Sequence, residues 1–163
     1  MLAAAVVLAC ASDHEARAPQ RVAPASAPIA FAYGTPEGEE FGSATTRGRV
    51  TALLFVTTFD LPSQVMARRL DEVVRRHRPR ANAGAIVLEA PDHATLAEVF
   101  RSTLGLGYPV ALATTPGVQH DGPFGTIDRV PTLVVLDRYG REVARRFGNL
   151  TEQELEEALK SAQ

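Results

Sequence analysis

Apolar residues in this chain fall into runs whose spacing switches between unbroken and helical, and each switch marks an element. Residues 50–58 are β-branched and apolar without alternation, the pattern of a central strand buried on both faces. From Asp60 onward Met66, Leu70, Val73, Val74 and His77 recur at helical intervals. Arg68, Arg69, Asp71, Glu72, Arg75 and Arg76 fill the other side, and Pro79 ends the helix. Residues 83–88 read as a second buried strand. Asp92 is expected to cap a helix reaching Leu104, with Leu96, Val99 and Phe100 facing inward. Residues 109–113 give a short extended segment. Residues 130–136 form another strand, which runs into a turn at 137–140 and returns over 142–147 as its antiparallel partner. Thr151 and Glu154 make a capping box that opens the last helix, whose buried face is Leu155, Ala158 and Leu159. Ahead of these elements, residues 30–33 and 40–43 flank the turn formers of 34–38 and read as a short hairpin.

The order is therefore hairpin, β, α, β, α, short β, β, β, α. Strands joined by a helix are expected to be parallel with a right-handed crossover, and the late hairpin adds antiparallel strands. This predicts a three-layer α/β/α sandwich with a mixed central sheet, helices covering both faces.

The first residues have another character. Residues 1–10 are apolar and end in Val7-Leu8-Ala9-Cys10, similar to the lipobox of a bacterial lipoprotein signal, in which Cys10 would be lipidated. The positively charged start of such a signal is missing and the apolar segment is short, both of which a start upstream of Met1 would account for; the alternative is a frayed apolar end with an incidental cysteine. Residues 11–29, rich in Ala, Pro, Ser and charge, have little to bury and read as a flexible tether. The domain then occupies 30–163. A net charge of −2 gives no basic field for nucleic acid, and no apolar run reaches the roughly 20 residues of a membrane-spanning helix. The four histidines are scattered, without the pairing of a metal site. No cofactor motif is present.

Three stretches carry a family resemblance: Gly48-Arg-Val-Thr-Ala-Leu-Leu-Phe-Val-Thr-Thr-Phe-Asp-Leu-Pro-Ser63, then Phe124-Gly-Thr-Ile-Asp-Arg-Val-Pro-Thr132, then Leu136-Asp-Arg-Tyr-Gly-Arg-Glu-Val143 followed by Gly148 and a helix. In this order and spacing they resemble the TlpA/ResA-like (redoxin) branch of exported thioredoxins. The resemblance implies a thioredoxin-like fold over roughly 30–162, with thiol-disulfide chemistry on a Cys-x-x-Cys pair at a helix start. Here Asp60 and Ser63 stand at those two positions, Phe59 matches the family's tryptophan, and Leu54 occupies the place of a buried carboxylate. The sole cysteine is Cys10. A serine hydroxyl cannot replace the thiolate that attacks or resolves a disulfide. The family's cis proline maps to Pro131, which implies a peptide-sized groove formed by Phe59, Asp60, Ser63, Val130, Pro131 and Thr132. Two readings of Asp60 stand side by side, a helix N-cap or a fixed anion mimicking the thiolate at a binding surface. Pro131 equally has two, groove wall or strand entry. The arginine face of the first long helix is either a solvated surface or a phosphate or membrane contact.

Three functions follow. The first is an exported module without redox catalysis that binds a peptide or protein segment, its membrane contact made through lipid on Cys10. The second is a thiol-disulfide oxidoreductase or peroxiredoxin-like enzyme, which would have to work through Cys10 or a partner's thiol. The third is a scaffold subunit. A hydrolytic set of Ser63, His120 and Asp121 has only residue type in its favour. Asn149-Leu-Thr151 matches a glycosylation acceptor, and Thr151 doubles as a helix cap.

Overall fold

The computed structural model describes residues 27–90, 94–113 and 120–163; Cys10, His14, Asp92, His93 and most of the expected tether lie outside them. The chain opens with an antiparallel hairpin of β1 (Ala32–Gly34) and β2 (Glu40–Gly42), followed by the one-turn helix α1 (Ser43–Thr46). The central elements are β3 (Val50–Val56), α2 (Leu61–His77), β4 (Ala81–Val87), α3 (Ala94–Leu104) and β5 (Val110–Leu112). A second hairpin, β6 (His120–Gly122) and β7 (Gly125–Ile127), precedes β8 (Thr132–Leu136), β9 (Glu142–Phe147) and α4 (Glu152–Lys160). The five-stranded sheet runs β5-β4-β3-β8-β9. Its β3–β4 and β4–β5 pairs are parallel, and β3–β8 and β8–β9 antiparallel. The expected mixed sheet with an N-terminal hairpin is thus present, while α1 and the β6–β7 hairpin come in addition.

Alternation along the strands divides the core in two. Val50, Ala52, Leu54 and Val56 of β3, with Leu133 and Val135 of β8, face Met66, Leu70, Val73 and Val74 of α2 and Leu155, Ala158 and Leu159 of α4. Ala97 and Phe100 of α3 join this same layer. Leu53, Phe55, Ile86, Val134 and Leu136 point the other way and meet Phe31, Tyr33 and Phe41 of the hairpin, with Phe124 and Ile127 of β6–β7. The three long helices therefore share one face. The opposite layer consists of the two hairpins with α1 at its edge. Consecutive right-handed crossovers β3-α2-β4 and β4-α3-β5 step in one direction across the sheet, which puts both helices on one side. The hairpin layer is held by aromatic packing, with Phe124 5.3 Å from Phe31 and 5.6 Å from Phe55 between ring centroids. Gly84 admits it: a Cβ there would lie 2.2 Å from the Phe41 ring.

Two expected faces are corrected. Leu96 and Val99 are exposed, and the inward stripe of α3 is Ala97, Phe100 and the partly buried Leu104. The small Ala97 lets the helix approach the sheet and so sets its phase, whereas ranking by side-chain bulk misplaces it by one residue. Asp71, expected on the solvated side of α2, is buried. It accepts a hydrogen bond from the Gly107 amide at 2.9 Å and pairs with Arg75 at 2.6 Å. Much of the arginine face of α2 is engaged inside the fold: Arg76 bridges Glu152 and Glu156 of α4, and Arg69 donates to the Leu150 carbonyl. None of the described helices is long and apolar enough to cross a membrane.

Candidate functional site

The candidate site lies at the edge of the sheet where β3 and β4 end and β8 begins. The register pairs Phe55 with Thr132, so Pro131 and Val130 continue alongside Val56 and Thr57 toward the start of α2. The Val130–Pro131 bond is cis. Asp60 is the N-cap of α2, with Pro62 in the first turn. Its Oδ2 accepts the Ser63 amide at 2.9 Å and the Ser63 hydroxyl at 2.7 Å. One carboxylate oxygen thus satisfies an orphan helix amide and a buried hydroxyl together. The capping reading of Asp60 is the one this geometry supports.

The six residues expected at the groove divide by accessibility. Ser63 and Thr132 are fully buried, and their hydroxyls are spent internally, Ser63 on Asp60 and Thr132 on the Arg129 carbonyl at 2.6 Å. Pro131 is buried, while Val130 and Asp60 are half-buried. Phe59 is 77% exposed, and next to the cap Leu61 is 68% exposed. Among the described residues, neither the N–H nor the C=O of Val130 has a hydrogen-bond partner. Two exposed apolar side chains thus flank the cap, and among the described residues the Val130 backbone keeps both bonding groups unspent.

Residue-type reasoning missed a third component. Glu89, just past β4, is 8% exposed, and its Oε1 accepts both the Thr58 amide and the Thr58 hydroxyl. Its Oε2 has no hydrogen-bond partner among the described residues. Gln64 donates to the Thr58 carbonyl at 2.9 Å, so the loop before Asp60 is fixed from both sides. The one available signal was an acidic residue directly after an unbroken apolar strand. At the position that the resembled family reserves for a buried carboxylate, Leu54 is packed in the helical-face core. Of the hydrolytic set, Ser63 bonds Asp60, and Asp121 accepts from Thr126 across its own hairpin. Thr151 serves α4 as its cap. Among the described residues no three His, Cys, Asp or Glu side chains cluster as metal ligands.

No protein-family model matches the sequence, and no curated protein matches it. Solved structures do. A thiol:disulfide interchange protein of the thioredoxin family from Chlorobium tepidum superposes with a TM-score of 0.69 at 23% identity, covering 86% of this chain and 97% of that one. The fold is thioredoxin-like. A secreted Mycobacterium tuberculosis disulfide oxidoreductase homologous to E. coli DsbE gives 0.64 at 19% identity, over 80% of this chain and 95% of the other. StoA from Bacillus subtilis gives 0.62 at 21%, over 82% and 98%. At such identities the likeness establishes the thioredoxin-like architecture and leaves the chemistry to the residues present.

Proposed function

We propose that this chain is a thioredoxin-like module without redox catalysis that binds an extended peptide or protein segment at the bacterial cell envelope. The observation that carries the reading is the closed Asp60–Ser63 pair. The two positions that would exchange a disulfide are bonded to each other as a helix cap, and the sole cysteine of the sequence is Cys10. The surroundings of a peptide site remain, in exposed Phe59 and Leu61 and the unspent backbone of Val130, to which an added strand could pair. The envelope location is supported by the lipobox-like segment ending at Cys10 and by the secreted protein among the similar structures.

Two measurements test it. The full chain and its Cys10→Ser variant are expected not to reduce insulin disulfides under conditions in which a thioredoxin does; turnover by the Cys10→Ser chain overturns the non-catalytic part. A random peptide library displayed on phage, selected on the immobilised protein, is expected to yield apolar extended sequences. Their binding should fall at least tenfold in Phe59→Ser/Leu61→Ser with an unchanged unfolding midpoint, because both side chains are exposed. Selected peptides that bind the double variant equally well overturn the groove.

A further inference from the structure

The opposite edge of the sheet carries a feature that the peptide-binding reading does not use. Three adjacent strands, β4, β3 and β8, each place an arginine there. Arg80 precedes β4, Arg49 precedes β3, and Arg138 follows β8. The registers Val50↔Ala81 and Thr51↔Leu136 bring the three abreast, and the Gly48 amide donates to the Arg138 carbonyl at 2.9 Å. Neighbouring strands lie about 4.8 Å apart, so three like charges span about 10 Å of sheet edge, an arrangement that costs stability unless something offsets it.

Among the described residues no Asp or Glu side chain does so at this place. The arginines line an open cavity of about 460 Å³ with Gly48, Val50, Pro79, Ala162 and Gln163, and no Asp or Glu side chain is among these lining residues. Arg49 donates to the Asn82 side-chain oxygen at 3.3 Å, and Arg138 lies over the Tyr139 ring. No ion pair reaches any of the three from a described residue. The nearest carboxylate in sequence, Asp137, is taken up by Arg141 and by the amides of Tyr139 and Arg141. The guanidinium fork matches phosphate oxygens in pairs. A cavity of this size exceeds a bare phosphate and suits one carried on an organic group.

We infer that the cavity of Arg49, Arg80 and Arg138 is a binding site for a phosphate-bearing anion, either a phospholipid headgroup or a soluble phosphate ester. The position of the chain start relates the two sources. Ile29 donates to the Gly140 carbonyl at 2.8 Å, so the chain joins the domain beside the Arg138 turn. A tether anchored at Cys10 would enter the domain at this edge and not at the Asp60 edge. The inference stands whether or not the Asp60 edge binds peptide.

The test uses the full chain carrying Cys10→Ser, so that acylation contributes nothing. Binding of inorganic pyrophosphate is measured by calorimetry, and binding to vesicles by co-sedimentation, phosphatidylglycerol in phosphatidylcholine against phosphatidylcholine alone. Arg49→Gln/Arg80→Gln/Arg138→Gln should weaken whichever probe binds at least tenfold. The charge-matched Arg68→Gln/Arg76→Gln/Arg101→Gln should not. The first triple variant should also unfold no earlier than the parent, since it removes repulsion, and pyrophosphate should raise the midpoint of the parent only. Sedimentation with phosphatidylglycerol vesicles assigns the headgroup; pyrophosphate binding without sedimentation assigns a soluble ester. Absence of binding to both probes, or equal loss in the two triple variants, overturns the site.

Discussion

Two helices of this protein begin on the same bond written in opposite senses. At α2 the cap is the carboxylate of Asp60 and the hydroxyl sits three residues on, at Ser63; the two meet at 2.7 Å. At α4 the cap is the hydroxyl of Thr151 and the carboxylate sits three residues on, at Glu154; the two meet at 2.8 Å. Taken alone, the candidate site is therefore an ordinary helix start. What separates the two is their setting. Ser63 is fully buried, Thr57 donates to it at 3.4 Å, and the loop before it rests on buried Glu89. Thr151 and Glu154 are exposed, and their bonds are local. A site is recognised here by what the fold invests around a cap, not by the cap.

The largest effect is expected from returning sulfur to one helix start and not the other. Asp60→Cys/Ser63→Cys places a thiol at a helix N-terminus, where the dipole and free amides favour the thiolate. Insulin reduction should rise from background by at least tenfold. Thr151→Cys/Glu154→Cys, with equivalent spacing but no shielded setting or facing proline loop, should stay at background. Equal activity in both would mean that the surroundings of Asp60 add nothing to a bare helix start.

Removing each cap is the next sharpest comparison. Asp60→Ala deletes the acceptor of a helix amide and strands the buried Ser63 hydroxyl, so it should cost about 2–3 kcal/mol by denaturant unfolding. Thr151→Ala should cost about 1 kcal/mol, since water can take over its partners. A third measurement addresses the support beneath the loop. Glu89→Leu leaves the Thr58 amide without its acceptor and should cost about 1–2 kcal/mol. Glu89→Gln keeps one oxygen for Thr58 and should fall within about 0.5 kcal/mol of the parent, because its amide nitrogen replaces an oxygen with no donor among the described residues while a buried charge is removed.

The same contrast explains which parts of the structure were legible in the sequence. Both caps could be read, because a cap is a local rule in which residue type and spacing suffice, and the strands β3, β4 and β8 announced themselves as unbroken apolar runs. The second hairpin could not be read. His120–Gly122 and Gly125–Ile127 are three residues each, too short for a period, and they are held by Phe124 reaching Phe31 and Phe55 from far along the chain. The phase of α3 failed for the related reason that Ala97, fully buried on its inward face, carries little hydrophobic weight. Within the site, Asp60 and Pro131 were visible through a resemblance, while Glu89 was not. Its role depends on Thr58, 31 residues away, and only the parallel pairing of β3 with β4 brings the two together. The three arginines at the far edge were equally scattered in sequence and become a cluster only through strand register.

The smallest effect expected is a pH dependence at the α4 cap. The bonds from the Thr151 amide and then its hydroxyl hold the Glu154 carboxyl below its ordinary value. A carboxyl depressed by folding contributes stability above its unfolded pKa, about 4.3, and that contribution is lost as pH falls through the lower folded value. The side chain is exposed, so the contribution is that of a surface charge at a helix N-terminus, about 0.3–1 kcal/mol. Unfolding of the parent and of Glu154→Gln should therefore differ by a constant amount from pH 7 to pH 5 and converge toward pH 3. Added salt should shrink the gap at neutral pH. A gap that persists unchanged at pH 3 would mean that Glu154 holds α4 by the geometry of its hydrogen bonds alone.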